Sequence, residues 1–228
     1  MPRTGRIVLP GLPHHVTQRG NRRQQVFFSQ DDYEAYLRFM HNGCRSFQLS
    51  LLSYCLMPNH VHLLLVPPTE AALREAVASI HQNYTRFINT KHGWKGHLWQ
   101  GRFFSCAVQP QIAPIVARYI ELNPVRAKLQ EDPELYPWSS ASLACRGGPD
   151  GRSGFGDIHA PQSSWRDFLQ GGIMSESTDD IRRIRHTVST GRPFSSNEFL
   201  KEMEEKTGLA LLKKRPGRKA PSNLADEI

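Results

Sequence analysis

The chain lacks the sequence patterns of membrane-spanning and thiolate-zinc proteins. Its 228 residues include only four cysteines, and no two of them form a Cys-x-x-Cys pair. A zinc site built from thiolates is therefore not expected, and the cysteines are read as reduced, partly buried thiols. The longest apolar runs, such as residues 63–66, are far too short to cross a bilayer. The basic stretch MPRTGRIVLPG is not followed by the apolar core of a secretory signal, so we expect a cytoplasmic protein.

The chain also lacks the common signatures of ATP-driven and zinc-dependent reactions. It contains no glycine-rich Walker A loop and no His-Glu-x-x-His motif, and its His-Val-His triplet is not followed by Asp-His. No internal repeat of fixed period is present. The usual zinc hydrolases are therefore not indicated.

Positive charge, in contrast, is in excess. Lys and Arg outnumber Asp and Glu by 29 to 21, a formal net charge of +8. The excess favours a polyanionic partner such as nucleic acid, although a basic enzyme without such a partner would show the same balance. Hydrophobic residues make up 39% of the chain, which at this length suits one globular domain, with or without an extension.

Hydrophobic periodicity and turn residues predict the order β, α, ββ, α, β, α. The predicted strands are two segments in residues 14–28 around the turn RGNRR, two strands in residues 47–67, and one strand in residues 96–109. The predicted helices run from Ser29 to about Asn42-Gly43, begin again at Thr69-Glu70, and cover residues 112–122. This order predicts an α+β fold, a mostly antiparallel sheet with helices packed on it, and is compatible with a ferredoxin-like arrangement.

The composition changes after about Trp138, which divides the chain into three parts. Residues 1–145 form one predicted domain, and residues 146–177 form a Gly-rich connector with a short helix around Trp165 and Phe168. Residues 178–228 form a helical extension in which Ser196 caps a helix and Gly208 ends it. Five of the seven residues 213–219 are basic.

Two histidines, His60 and His62, lie in the apolar stretch MPNHVHLLLVP. If the stretch is a strand, both side chains share one face and lie about 7 Å apart along it. Two imidazoles on one face of a buried strand are costly unless a partner satisfies them, and a metal ion is one such partner. A His-x-His pair alone is a weak signal.

Tyr119 and Asn123 are four residues apart on the third predicted helix, so they share a helical face. If that helix lies across the histidine face, Asn123 could offer its amide oxygen to the same metal, with the Tyr119 hydroxyl beside it. Such a set suits phosphodiester chemistry, because a hard divalent ion polarises a phosphate oxygen while an ionised tyrosine attacks. The product would be a covalent phosphotyrosine and a free strand end, in a reversible exchange that needs no ATP.

Each of these residues also has a plainer interpretation. Tyr119 falls in the apolar series of its helix and could be a core residue. Asn123 precedes Pro124 and could simply end the helix. Tyr84, in HQNYTRFINT, is a rival nucleophile that would fit a core position equally well.

Three motifs in this order, YCLMPNHVHLLL, GHLWQGRFFS and RYIELNPVRAKL, resemble the REP-associated tyrosine transposases. These are single-tyrosine transposases of the His-hydrophobe-His type, related to insertion sequence 200. The N-terminal stretch RIVLPGLPHHVTQRGNRRQQVFF also matches, so the resemblance covers about residues 1–145. The tail resembles the extensions of many members.

The resemblance implies a ferredoxin-like α+β catalytic domain over residues 1–145. It implies Mg²⁺ or Mn²⁺ as cofactor, held by His60, His62 and Asn123, with Tyr119 as the nucleophile. Related insertion-sequence enzymes often carry Gln, which is longer than Asn, as the third ligand. The implied partner is single-stranded DNA folded into hairpins called repetitive extragenic palindromes (REP), beside a short guide sequence. The insertion-sequence relatives act as dimers with exchanged tyrosine helices, so both a monomer and a homodimer stay open.

Contacts with hairpin DNA are predicted for basic residues near the first turn, in the GHLWQGRFFS motif and in the tail. For the tail the alternative is a solvated end that binds nothing. These residues are Arg19, Arg22, Arg23, Arg102, Lys213, Lys214, Arg215, Arg218 and Lys219.

The sequence therefore predicts a metal-dependent transposase or endonuclease that cleaves and rejoins single-stranded REP-type hairpin DNA through a covalent 5′-phosphotyrosine. One alternative is a protein that binds hairpin DNA without cutting it. A second alternative is a metal-dependent nuclease that uses water as the nucleophile.

Overall fold

A computed structural model of the protein describes residues 6–145, 164–175 and 177–212. Its centre is a four-stranded sheet in which every neighbouring pair of strands is antiparallel. The strands are β1 (His14–Arg19), β2 (Ser50–Met57), β3 (His60–Val66) and β4 (Phe104–Ala107), in the spatial order β2-β3-β1-β4. The predicted α+β fold with a mostly antiparallel sheet is confirmed.

Two long helices cover one face of this sheet. They are α1 (Gln30–Ser46) and α2 (Glu70–His92), and they follow β1 and β3 in the chain. Their apolar faces meet the side chains of Val16, Val61 and Leu63 in the first hydrophobic core. The Thr69 hydroxyl caps α2 by accepting a hydrogen bond from the Ala72 N–H at 3.1 Å, which confirms the predicted start of that helix.

The other face of the sheet is covered by shorter helices. These are α3 (Ala113–Glu121), α4 (Asn123–Arg126), α5 (Ala141–Cys145), α6 (Trp165–Ser175) and α7 (Thr178–Thr190). The second hydrophobic core joins Leu64 of β3 and Val116 of α3 to Trp165 of α6 and Ile184 of α7. The helix predicted inside the connector, α6, and the helix that follows the connector, α7, therefore both pack against the sheet domain.

The last described helix, α8 (Asn197–Thr207), belongs to a third and smaller apolar cluster with Leu9 and Ala107. The Ser196 hydroxyl accepts a hydrogen bond from the Phe199 N–H at 3.2 Å, and Gly208 ends the helix in the left-handed conformation with φ +70°. Both predicted boundaries of this helix are confirmed. No helix within the described ranges is long and apolar enough to cross a membrane.

Two boundaries near the first helix differ from the predictions. The expected second strand segment at residues 26–28 is not a strand, because the Val26 and Phe27 N–H groups both donate to the Pro58 carbonyl in the β2–β3 turn. Helix α1 also continues past Asn42-Gly43 to Ser46. Gly43 allows α1 and α2 to approach closely, since a Cβ at that position would lie 2.6 Å from Ile80 Cγ1.

Two further boundaries differ in the second half of the sheet domain. The strand predicted over residues 96–109 is limited to β4, since Gly96 and Gly101 adopt positive φ values of +97° and +64° and turn the preceding segment into a loop. The helix predicted over residues 112–122 is α3, one residue shorter at each end, and the separate short helix α4 follows it after Leu122.

A buried carboxylate, Glu121, fixes α3 between the sheet and α6. Its Oε1 accepts hydrogen bonds from the hydroxyls of Ser53 in β2 at 3.2 Å and of Ser140 at 2.7 Å. Its Oε2 accepts a hydrogen bond from the indole N–H of Trp165 at 2.7 Å. Glu121 is fully buried, so these donors replace the water that a carboxylate would otherwise need.

Replacing Glu121 should weaken both ends of this network. Glu121→Gln puts an N–H₂ donor where one carboxylate oxygen now accepts, and we expect a loss of about 1–3 kcal/mol in the free energy of unfolding. Urea denaturation of Glu121→Gln, Trp165→Phe and the double variant measures the loss. The double variant should cost less than the sum of the single changes, because both remove the same hydrogen bond.

The matched control is Glu131→Gln, because Glu131 is exposed to solvent. This variant should stay within about 0.5 kcal/mol of the wild type. Strictly additive losses in Glu121→Gln and Trp165→Phe would show that the contact between α3 and α6 contributes no coupling energy.

Candidate active site and nucleic-acid groove

The alternation of β3 places His60 and His62 on the sheet face that α3 covers. Their neighbours Val61 and Leu63 lie in the core on the opposite face. The two imidazole rings have centroids 4.9 Å apart, and only 7% of the His62 surface is exposed. The shared face that the sequence predicts is therefore present.

Asn59 fixes the protonation of the His60 ring. The Asn59 Nδ2 donates to the Arg23 carbonyl at 3.1 Å, so the Asn59 Oδ1 must be the atom that meets His60 Nδ1 at 2.6 Å. An amide oxygen only accepts, and His60 Nδ1 therefore carries the proton. The lone pair of His60 is left on Nε2.

The partner of His62 is another buried histidine, His15 on β1. His15 Nε2 lies 2.9 Å from His62 Nδ1, and the two rings stack with centroids 5.1 Å apart. Thr17, two residues further along β1, pairs with His62 across the sheet, which places His15 on the same face. Both histidines of the triplet thus have Nδ1 engaged, and neither Nε2 has a hydrogen-bond partner in the described ranges.

Burial keeps this cluster of rings uncharged. Burial, with a contribution from the nearby Arg19, lowers the pKa of His60 to about 4. Burial lowers the pKa of His15 to about 3, and burial, together with the repulsion that a charged His62 would meet from protonated His60 or His15, holds the pKa of His62 well below its usual range. All three imidazoles are therefore neutral at neutral pH, which is the form that binds a metal ion.

Helix α3 brings Tyr119 to these rings. The Tyr119 ring centroid lies 6.0 Å from His62 and 6.0 Å from His15, edge-on to both. Only 6% of the tyrosine is exposed, yet its hydroxyl makes no hydrogen bond within the described residues. Tyr119 is thus both a member of the second core, as the plainer interpretation has it, and a neighbour of the histidines.

Asn123 begins α4, just beyond the tyrosine. Its Nδ2 donates to the carbonyls of Tyr119 and Ile120, both at 3.0 Å. These two bonds satisfy the end of α3, which is the structural role that the plainer interpretation expects. Because they use only the nitrogen, the Asn123 Oδ1 stays available as an oxygen donor.

Arg126 was not predicted from the sequence, although it lies beside the tyrosine. Its guanidinium stacks 4.4 Å from the centre of the Tyr119 ring and donates to the Tyr119 carbonyl. It also lies close enough to His62 to lower the pKa of that ring. The spacing could have indicated its position, because Arg126 follows Tyr119 by seven residues, about two helical turns, and so lies on the same helical face.

The donor set determines what could hold a metal ion here. In the described part of the chain, no group of three or more His, Cys, Asp or Glu side chains could do so. Two imidazole nitrogens from His60 and His62 with an amide oxygen from Asn123 form a different set of three donors, which a divalent ion would complete with water or phosphate oxygens.

Tyr84, the rival nucleophile, lies on the other side of the sheet. It is fully buried in the first core, and its hydroxyl donates to the Val26 carbonyl at 2.7 Å. Burial, with the charge of Asp32, raises the pKa of this hydroxyl. Tyr84 is therefore a core residue, as its plainer interpretation has it, and it lies on the sheet face away from His60 and His62.

The predicted DNA-binding arginines do not form one patch. Arg19 is exposed on the histidine face, directly across from His60. Arg22 and Arg23 form an exposed turn after β1 with positive φ values of +53° and +62°, a conformation that non-glycine residues adopt only when their surroundings hold it. Arg102 lies on the opposite side of the sheet. The five basic tail residues from Lys213 to Lys219 lie outside the described residues.

Arg102 lines a groove of about 900 Å³ between α2 and the loop that precedes β4. Three more arginines line it, and none of its lining residues is acidic. Burial and the charges of Arg102 and Arg74 lower the pKa of Arg6, which shows how closely the cations lie. The four arginines of this basic groove are Arg6, Arg74, Arg86 and Arg102.

Exposed aromatic side chains stand at one end of the basic groove. Trp94 lines the groove with 46% of its surface exposed, and it stacks on His92 with centroids 4.5 Å apart. Phe28, also exposed, packs edge-on against both. Arginines interleaved with exposed rings are typical of surfaces that bind unpaired nucleotides.

Comparisons with known proteins identify the family and the fold. The family model described as "Transposase IS200 like" matches residues 10–123. A solved structure of the REP-associated tyrosine transposase bound to a REP hairpin has a TM-score of 0.52 and 20% identity, covering 72% of this chain and 97% of that one. A crystal structure described as that of a transposase from Deinococcus radiodurans R1 has a TM-score of 0.38 and 21% identity, covering 53% and 96%. The chain has no match among curated proteins.

Proposed function

This chain belongs to the family of IS200-like transposases, and we propose that it cleaves and rejoins single-stranded DNA beside REP-type hairpins. The proposed reaction uses Tyr119 as nucleophile, depends on a divalent cation, and passes through a covalent 5′-phosphotyrosine. We infer a cytoplasmic location because the substrate is DNA. The protein acts as a monomer or a homodimer.

One observation carries the proposal. The Tyr119 ring lies 6.0 Å from the His62 ring of the same chain, on the sheet face where His60 and His62 both leave Nε2 unpaired. Neither Nε2 atom, nor the Tyr119 hydroxyl, is among the buried unpaired polar atoms of the described residues, so a phosphate or a cation could reach each of them from solvent. A nucleophile beside two open imidazole nitrogens suits transfer of a phosphoryl group.

His60, His62 and Asn123 would hold Mg²⁺ or Mn²⁺. The fit rests on two neutral imidazoles with fixed rings and on an amide whose nitrogen is already used by the helix end. When bound, the cation polarises a non-bridging phosphate oxygen and so makes the phosphorus more electrophilic.

The side chains of this protein account for the rest of the reaction. The Tyr119 oxygen gives its proton to solvent water and forms a bond to the phosphorus, while the bond from phosphorus to the 3′ oxygen of the upstream nucleotide breaks. That 3′ oxygen takes up a proton and leaves as a free hydroxyl. Arg126, stacked on the Tyr119 ring, and Arg19, across from His60, both lie close enough to His62 to supply positive charge for the phosphate. Attack of a 3′ hydroxyl on the phosphotyrosine reverses the step and rejoins the strand.

The basic groove would hold the folded part of the DNA. Its arginines provide contacts to phosphates, and its exposed rings provide stacking surfaces for unpaired bases. Two adjacent residues of β1 lie on the two surfaces. Gln18 lines the basic groove, and Arg19 faces His60 on the opposite side of the sheet. The predicted contacts of the tail residues 213–219 would add to this surface.

Covalent trapping tests the nucleophile. We expect labelled single-stranded REP hairpin DNA, incubated with the full chain and Mn²⁺, to yield a denaturation-resistant adduct that migrates with the protein. Tyr119→Phe should abolish the adduct because it removes the attacking oxygen. EDTA should reduce it to background because it removes the cation. Denaturing gel electrophoresis measures both.

Tyr84→Phe is the matched control, since it removes one tyrosine oxygen on the other side of the sheet and should leave the adduct at wild-type level in the folded fraction. Cleavage that survives Tyr119→Phe and yields a 5′-phosphate would support the nuclease that uses water. Hairpin binding without metal, cleavage or adduct would support the protein that only binds.

Binding measurements test the basic groove. We expect Arg86→Ala to weaken the affinity for hairpin DNA and to reduce the slope of log K against log salt by about one, the value for one lost phosphate contact. Fluorescence anisotropy with a catalytically silent Tyr119→Phe background gives both quantities. Arg38→Ala is the control, because Arg38 is exposed on α1 and lies outside the groove. An equal loss in both variants would show that the groove has no special role.

A further inference from the structure

The sequence HHVTQRG places two histidines side by side at the start of β1, and both are fully buried. Adjacent residues of a strand face opposite sides of the sheet, so His14 and His15 lie in different surroundings. Their hydrogen bonds show that only one of them has a complete structural explanation.

His14 is satisfied by the backbone. Its Nε2 accepts a hydrogen bond from the Leu9 N–H at 3.1 Å, and its Nδ1 donates to the Leu12 carbonyl at 2.8 Å. Both ring nitrogens are therefore used, and they hold residues 9–12 against the end of the sheet. No further role is needed to explain this histidine.

His15 has a different set of contacts. Its Nε2 meets His62 Nδ1 at 2.9 Å, and its Nδ1 is buried without a hydrogen-bond partner in the described residues. An apolar residue at this position would avoid the cost of the unpaired nitrogen. The hydrogen bond to His62 is therefore the one contact at this position that requires a histidine, because leucine or phenylalanine could not make it.

His15 is not a third metal ligand in this arrangement. The described histidines form no group of three that could hold one ion, although His15, His60 and His62 are neighbours. The contact also occupies Nδ1 of His62 and not the Nε2 that stays open toward the tyrosine. Its geometry matches that of Asn59, whose oxygen accepts the Nδ1 proton of His60.

We propose that His15 is a positioning residue: its Nε2 accepts the Nδ1 proton of His62, which fixes the ring and leaves the His62 Nε2 lone pair for the divalent cation. The inference rests on the proposed function, because it requires a cation at His62. An imidazole that binds a metal through Nε2 carries its proton on Nδ1, and a buried N–H needs an acceptor. His15 Nε2 is the only acceptor that the described residues bring to this atom.

Mn²⁺ titration of the full chain, followed by the electron paramagnetic resonance signal of free Mn²⁺, tests this role without relying on DNA cleavage. We expect His15→Phe, which keeps a ring but cannot accept a proton, to weaken Mn²⁺ binding about 10- to 100-fold. His15→Gln, whose amide oxygen can occupy the place of Nε2, should bind within about threefold of the wild type. His62→Ala should abolish binding at the site.

His14→Gln is the matched control, because it makes the same substitution at the equally buried neighbour. It should lower the thermal stability while the folded fraction keeps its Mn²⁺ affinity. Binding lost in His62→Ala but unchanged in His15→Phe would overturn the inference and leave the proposed function intact. A wild-type chain that binds no Mn²⁺ would overturn the proposed metal site itself.

A second measurement holds even if His15→Phe does not fold. In the Mg²⁺-bound wild type, two-bond ¹⁵N–¹H correlation spectra identify which nitrogen of each histidine carries the proton. We expect the proton on Nδ1 of both His60 and His62, with the His62 proton shifted downfield by its hydrogen bond. A proton on Nε2 of His62 would overturn the inference.

Discussion

The burial of three neutral imidazoles on one sheet face is the constraint on which the rest of the site depends. Burial removes the charge from His15, His60 and His62 and makes each unpaired nitrogen costly. The sheet meets part of this cost by pairing Nδ1 of His60 with Asn59 and Nδ1 of His62 with His15. The remaining open nitrogens lie together beside the tyrosine helix, so the same pairs that stabilise the fold also orient the donors.

The tyrosine helix depends in turn on contacts made far along the chain. Glu121 ties α3 to Trp165, and the Arg118 guanidinium stacks 4.4 Å from the Phe168 ring of the same α6 helix. Gly172 permits this approach, since a Cβ there would lie 2.7 Å from Leu122 Cδ1. Helix α6, which the sequence predicts inside the connector, therefore helps to hold Tyr119 against the histidines of its own chain. An exchange of α3 between two chains would break these contacts unless α6 moved with it.

Patterns within single elements were predictable from the sequence, and contacts between elements were not. The alternation of β3 predicted the shared face of His60 and His62, and helical spacing predicted that Tyr119 and Asn123 lie together. His15 could not be placed, because its contact with His62 depends on the register of β1 against β3. The prediction of a strand at residues 26–28 was wrong for the same reason. The backbone N–H groups of this segment donate to the Pro58 carbonyl, and no local sequence pattern reveals that Pro58 lies nearby.

The alternation of side chains along β1 also explains how the two faces of one sheet could have different proposed roles, DNA cleavage on one face and DNA binding on the other. Gln18 points into the basic groove, and Arg19 points toward His60, so the two surfaces are separated only by the thickness of the sheet. A DNA strand that used both would have to pass around the end of β1, where Arg22 and Arg23 adopt left-handed backbone conformations. The Asn59 amide that holds the Arg23 carbonyl also orients His60. The residue that supports this strained turn therefore also orients His60, which links the path proposed for the DNA to the geometry of the proposed metal ligand.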